Sequence, residues 1–173
     1  MSITANPACK VDVILDEETG DIIKGQGMGT LKIKVGSTEP LSIRGRYEIT
    51  KGEYTFNFQT WIKKKFTLSR GGSITWTGDP LLANIDIDAD YLAERVDVSS
   101  ITQSTNVKKK EDIIIISHLT GNLTKPVINF EFKLPENSDL NRDYFAVKKL
   151  ADYKNNETEM FKQVASLLLV NAF

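Results

Sequence analysis

Three aspartates, Asp86, Asp88 and Asp90, alternate with Ile85, Ile87, Ala89 and Tyr91 and form the most suggestive chemical pattern in the chain. On a strand, alternation puts all three carboxylates on one face, about 6.6 Å apart. Calcium needs six or more oxygens converging from a loop, and a flat strand does not wrap them round one ion. These aspartates therefore read as a solvated face. His118 is the sole histidine, on the polar side of a run ending at Gly121, and no serine or cysteine near it in sequence suggests a nucleophile pair. Gly25-Gln26-Gly27-Met28-Gly29 looks like a phosphate loop, but such loops open a helix whose first amides face the anion. A strand-like run, Thr30 to Val35, follows instead, so the glycines read as a flexible turn or a close strand crossing. Cys9 is a single cysteine, with neither a disulfide partner nor metal-ligand spacing. Asn122-Leu123-Thr124 and Asn156-Glu157-Thr158 match glycosylation sequons, a short pattern common by chance. No triad, metal cluster or phosphate loop emerges. The chain reads as a non-enzyme with no catalytic residues, metal site or cofactor.

Charge points the same way. The 22 basic and 23 acidic residues nearly cancel, whereas a nucleic-acid binder gathers a basic excess on one face. Lys63-Lys64-Lys65 reads as a solvated loop between Trp61 and Phe66, and Lys108-Lys109-Lys110 is offset by Glu111 and Asp112. The opening MSITANPACK has no long apolar core of the secretory kind. Ile113-Ile116 and Leu167-Val170 are too short to span a bilayer. At 173 residues and 40% apolar, the chain has the size and composition of one soluble domain.

The elements that must position these groups are strands. Leu41, Ile43, Gly45, Tyr47 and Ile49 alternate with polar residues, and after Thr50-Lys51-Gly52 the apolar phase restarts at Tyr54, Phe56 and Phe58. Two alternating runs across a short glycine-containing link predict a hairpin. Similar runs cover Val11-Leu15, Leu31-Val35, Phe66-Leu68, Ile74-Trp76, Ile85-Tyr91, Ile113-Leu119 and Ile128-Leu134, giving about nine strands. Ile113-Leu119 is apolar on both faces at its start, which suits a central strand. Gly78-Asp79-Pro80 marks a corner and Ser99-Lys110 a mobile loop. Beyond Pro135 the period becomes helical. Leu140-Lys154 is moderately amphipathic. Asn156 with Glu159 forms a capping box ahead of Met160, Phe161, Val164, Leu167 and Leu168 on one stripe of a helix reaching Ala172. Leu169 and Val170 widen that stripe, so the helix needs burial on several sides, from this chain or a partner. The expected fold is mainly β, with a β-rich domain at 1–135 and a helical segment at 136–173 packing on it or on a partner.

One ordered set of motifs is more particular than alternation. It runs from Gly45-Arg46-Tyr47-Glu48-Ile49-Thr50-Lys51-Gly52-Glu53-Tyr54-Thr55-Phe56 through Lys65-Phe66-Thr67-Leu68 and Gly71-Gly72-Ser73-Ile74-Thr75-Trp76-Thr77-Gly78-Asp79-Pro80. It continues through Ala83-Tyr91, Leu119-Phe130 and Gln163-Phe173. With Thr19-Gly20-Asp21 and the glycines around Met28, these span most of the chain and resemble the C-terminal domain of TamB, the translocation and assembly module protein of the AsmA-like group, in a Bacteroidetes-type form. The resemblance implies a curled antiparallel or solenoid-like sheet, a half-pipe ("β-taco") or flattened barrel. It implies a periplasmic part of a longer Gram-negative envelope protein, anchored in the inner membrane outside this soluble stretch. The implied roles are outer-membrane protein assembly with a BamA-like (TamA-type) barrel partner, and phospholipid transport between the membranes. Acyl chains or incoming strands would then contact a groove of Ile43, Tyr47, Ile49, Tyr54, Phe56, Phe58, Phe66, Leu68, Ile74, Trp76, Ile85, Ile87 and Tyr91. Phe161, Val164, Leu167 and Leu168 would form a partner-docking helix. Alternation alone leaves a second architecture open, a spacer or docking domain in which the same residues are closed core.

Overall fold

A computed structural model describes residues 1–58, 62–103, 105 and 109–173, with Phe58 and Ile62 described by backbone alone. The side chain of Phe58, Trp61 and the middle of the Ser99–Lys110 segment lie outside the described residues. The chain is mainly β, as expected. Its strands are β1 (Ser2–Asp16), β2 (Asp21–Lys34), β3 (Ser42–Phe58), β4 (Ile62–Leu68), β5 (Ser73–Gly78), β6 (Asn84–Asp97), β7 (Lys110–Asn122) and β8 (Lys125–Lys133). Two helices follow, α1 (Tyr144–Lys154) and α2 (Glu157–Val170). The strands form one sheet in the order β1-β2-β3-β4-β6-β7-β8, with β5 pairing both β3 and β6. β7 lies between β6 and β8, a central position, with Ile113 and Ile115 buried on one face and Ile114 and Ile116 half-buried on the other.

The expected hairpin at residues 41–58 is instead a single strand of 17 residues. Along β2, Gln26 faces Lys51 while Gly27 faces Ile49, so Thr50 is an extra residue on β3. Such a bulge moves every later side chain to the opposite parity. The apolar phase therefore switches from Ile43, Tyr47 and Ile49 to Tyr54 and Phe56 with no reversal of the chain. One edge of β3 takes two partners, β5 before the bulge (Ile43–Glu48) and β4 after it (Glu53–Phe58). The turn between those partners is tied to the bulge: the Ile49 amide donates to the Gly72 carbonyl (2.7 Å), and the Gly71 amide donates to that of Ile49 (3.0 Å). Merging the two runs accounts for eight described strands against nine expected. Lys63-Lys64-Lys65 is likewise strand β4 and not a loop, with Lys65 3.1 Å from Glu53 on the neighbouring strand.

The chain divides into two compact units, Met1–Ala89 with His118–Ile128, and Asp90–Ser117 with Asn129–Phe173. This division differs from a boundary at residue 135, because β6, β7 and β8 each contribute to both units. In the first unit, the glycines expected as a turn or a crossing are strand residues of β2 pressed against β3. A Cβ on Gly27 would stand 2.0 Å from the Glu48 carbonyl oxygen, and one on Gly29 2.2 Å from that of Arg46. The close-crossing reading is the correct one. Tyr47 lies beside this bare stretch, and its hydroxyl donates to the Cys9 carbonyl of β1 (2.8 Å). The corner at Gly78-Asp79-Pro80 forms a 3-10 turn, Pro80–Leu82, capped by Asp79 through the Leu81 amide (2.9 Å).

In the second unit, a 3-10 turn at Asp139–Arg142 precedes α1, so the expected helix at Leu140–Lys154 starts four residues later. Asp143 caps it by accepting from the Phe145 and Ala146 amides, at 2.9 and 3.1 Å. Asn156 caps α2 as the sequence signalled, accepting from the Glu159 amide (3.0 Å). α2 ends at Val170, short of Ala172, because Asn171 adopts the left-handed conformation (φ 59°). That residue also fastens the tail. Its side-chain Nδ2 donates to the carbonyls of Glu94 (2.8 Å) and Arg95 (3.2 Å). The Asp97 amide donates to the Asn171 carbonyl (2.9 Å). Phe173 then sets its ring 5.3 Å from that of Phe132 and stacks on Tyr153.

Candidate functional site

Within the first unit, alternation brings the inner face of the sheet together as the sequence implied. Tyr47, Ile49, Tyr54, Phe56, Phe66, Leu68, Ile74, Ile85 and Ile87 are between 0% and 6% exposed. Tyr54, Phe56 and Phe66 form a triangle of rings with centroids 6.0–6.1 Å apart, a spacing that favours tilted and edge-on contacts. Ile43 and Trp76 are half-buried near one another, since Gly45 pairs with Trp76 and Ile43 with Gly78. Tyr91 is half-buried in the second unit.

A carboxylate sits among these buried residues. The Asp21 carboxylate is buried, accepting from the Tyr54 hydroxyl (3.2 Å) and the Asn57 backbone amide (2.8 Å). Burial pushes its pKa up, against the opposing pull of those hydrogen bonds. Burial also raises the pKa of Tyr54, aided by the neighbouring carboxylate. The buried side-chain amide of Asn57 finds no hydrogen-bond partner among the described residues. On the outer face, Asp86, Asp88 and Asp90 are exposed, and His118 Nδ1 lies 2.7 Å from Asp88 Oδ1. Among the described residues, no group of three or more His, Cys, Asp or Glu could hold a metal ion. Among the same residues, no helix is long and apolar enough to cross a membrane.

The docking stripe expected on α2 is divided. Val164, Leu167 and Leu168 are buried, while Phe161 is about half exposed with its ring 6.4 Å from that of Phe130. Leu169 and Val170 are exposed on the same helix. A surface not singled out by sequence lies on α1. Val147, Leu150, Ala151 and Lys154 line a groove of about 420 Å³ with Asn141, the end of β8 from Glu131 to Lys133, and Leu134. Its signal was present as i, i+3, i+4, i+7 spacing on α1. Nothing in that spacing says that a sheet edge runs beside it.

The family model for the TamB C-terminal domain matches residues 1–173, the whole chain. The chain belongs to the TamB C-terminal domain family. No curated protein and no solved structure is a significant match to it. Membership makes the chain a TamB-like envelope module of the translocation and assembly system of outer-membrane biogenesis. The tail Asn171-Ala172-Phe173, one of the motifs behind the resemblance, is a structural clip in this TamB domain, holding α2 to β6 and packing against both Phe132 and Tyr153.

Proposed function

We propose that this chain is the partner-engaging module of a TamB-like envelope protein, assisting outer-membrane protein assembly together with a BamA-like, TamA-type barrel protein. It works without a catalytic centre, in the periplasm of a Gram-negative bacterium, as part of a protein anchored in the inner membrane. Family membership supports the envelope role. The near-complete burial of the row from Tyr47 to Ile87 supports a closed core, with partners met at strand edges and helix faces. A sheet edge is a natural receiver for a strand, because its outward amides and carbonyls are already aligned.

A second reading, phospholipid transport, has one observation in its favour. The apolar residues of the first unit follow one another across β3, β4, β5 and β6, and acyl chains gain about 0.8 kcal/mol per buried CH₂ along such a surface. Native mass spectrometry of the domain purified from a bacterial host, combined with Phe56→Asp, separates the two readings. A closed core predicts an apo mass and a variant that fails to fold, because an unpaired charge is then buried. Bound phospholipid that disappears in Phe56→Asp, with circular dichroism unchanged, would establish the lipid path instead.

A further inference from the structure

The groove on α1 has a geometry that selects its occupant. In the second unit, α1 and the turn before it border the end of β8 and the residues that follow it. Lys154 Nζ lies 3.0 Å from Glu131 Oε1 at one end. At the other, the Asn141 side chain donates to the carbonyls of Pro135 (2.7 Å) and Glu136 (3.3 Å). Val147, Leu150 and Ala151 form the wall between, and Val147 remains 45% exposed. Tyr144, three residues before Val147 on the same helical face, is 82% exposed. The floor is Phe132, whose ring packs edge-on against Tyr153. β8 ends the sheet order, with β7 as its neighbour among the described strands.

An edge strand presents alternate N–H and C=O groups outward, and only an extended main chain answers them in register. The wall adds a second requirement. From Val147 to Lys154 it runs about 10 Å at 1.5 Å per residue, the length of three to four strand residues at about 3.3 Å each. A strand lying there would point every second side chain at Val147, Leu150 and Ala151 and leave the others toward solvent. The wall is too short to cover an acyl chain along its length. Because α1 stands beside the edge, the groove admits a lone strand more readily than the edge of a second folded sheet. Its volume falls within the roughly 300–1,000 Å³ of ordinary ligand sites.

We propose that this groove receives an extended, alternately apolar and polar segment of an unfolded client polypeptide, which pairs with the end of β8 at Glu131–Lys133 and packs its apolar side chains on α1. The inference rests on the partner-engaging reading above and names the site and the class of client.

The test is fluorescence anisotropy on the full chain with a labelled synthetic peptide about ten residues long, alternating Thr or Lys with Val, Leu or Tyr. Two further peptides of the same sequence are N-methylated on one or the other set of alternate residues. The expected result is saturable binding, weakened about tenfold or more by one methylation set and little by the other. Val147→Asp, at an exposed position, weakens it about tenfold or more with circular dichroism and Tm unchanged. Leu169→Asp, outside the groove, binds as the parent does. Equal binding of all three peptides, undiminished binding by Val147→Asp, no saturable binding, or a dimer that the peptide disperses would each overturn the proposal. The lipid measurement reads the interior of the first unit and this one reads the α1 groove, so either reading can fail alone.

Discussion

Gly27 and Gly25 sit two residues apart on one strand face, and the space before each differs by more than an ångström. A methyl group on Gly27 would lie 2.0 Å from a backbone oxygen that belongs to a paired strand and cannot swing aside. On Gly25 it would meet Ile49 at 3.7 Å and Leu68 at 3.8 Å, ordinary contact. Gly27→Ala should therefore cost about 3 kcal/mol or more by forcing β2 from β3. Gly25→Ala should stay within about 1 kcal/mol of the parent, and its reduced chain entropy favours the folded side. Urea unfolding of both variants checks this, and equal losses would mean that the close approach is not what holds the site to glycine. Asp21 gives a pH-dependent counterpart. Its folded pKa is raised by burial, so the folded state holds its proton more tightly than the unfolded chain does. Its contribution to stability is then greatest below the ordinary carboxylate pKa and falls as pH rises through the raised value. Asp21→Asn keeps an acceptor for the Asn57 amide and removes that titration. The Tm difference between variant and parent should grow in the variant's favour as pH rises from 3, then level off. A constant difference across that range would refute the assignment.

At the level of elements, the sequence was most informative where periodicity stayed in phase and least where a single residue broke it. The alternations of Ile85–Tyr91 and Ile113–Leu119 became strands, and Asn156 became a cap, because each signal is local and nothing distant opposes it. Thr50 defeated the same grammar. A phase change beside a glycine looks alike whether the chain turns or bulges, and only the register with β2 distinguishes them. β6 repeats the pattern: Ala93 and Val96 are both buried around exposed Glu94 and Arg95, and Arg95 has φ 55°. Asn171 reads that second irregularity through the Glu94 and Arg95 carbonyls while ending α2 in a left-handed conformation. Asn171→Ala should lose both the hydrogen bonds and the conformational tolerance, about 2 kcal/mol in all. Asn171→Gly restores the backbone freedom and should lose about half as much. Hydrogen exchange at the Asp97 amide, whose acceptor is the Asn171 carbonyl, should quicken in the alanine variant before the central strands respond.

For the whole molecule, alternation named the interior residues without naming what encloses them. Tyr54, Phe66 and Ile87 had to be inward whatever the architecture, whereas their burial depends on strands far away in sequence. The α1 groove was invisible for the same reason, since it needs Phe132 and Val147 on neighbouring walls. The division at residue 135 also rested on a local signal, the change of period after Pro135. In the second unit the helical residues complete the strand residues: Phe130 meets Phe161, and Phe132 meets both Tyr153 and Phe173. Glu131, between those two phenylalanines in sequence, is paired with Lys154 of α1. A chain cut to residues 1–135 would expose Phe130 and Phe132 together, an apolar face beside a free sheet edge, the combination that promotes aggregation. The truncated chain should bind 1-anilinonaphthalene-8-sulfonate strongly, elute as aggregate in size-exclusion chromatography and lose the cooperative unfolding of the full chain. A monomeric 1–135 fragment with a sharp transition would show that the β portion folds without its helices. Phe132→Ala in the full chain gives the milder form of the same test. It should cost about 3–5 kcal/mol, the range for removing a buried phenylalanine, while leaving the chain monomeric.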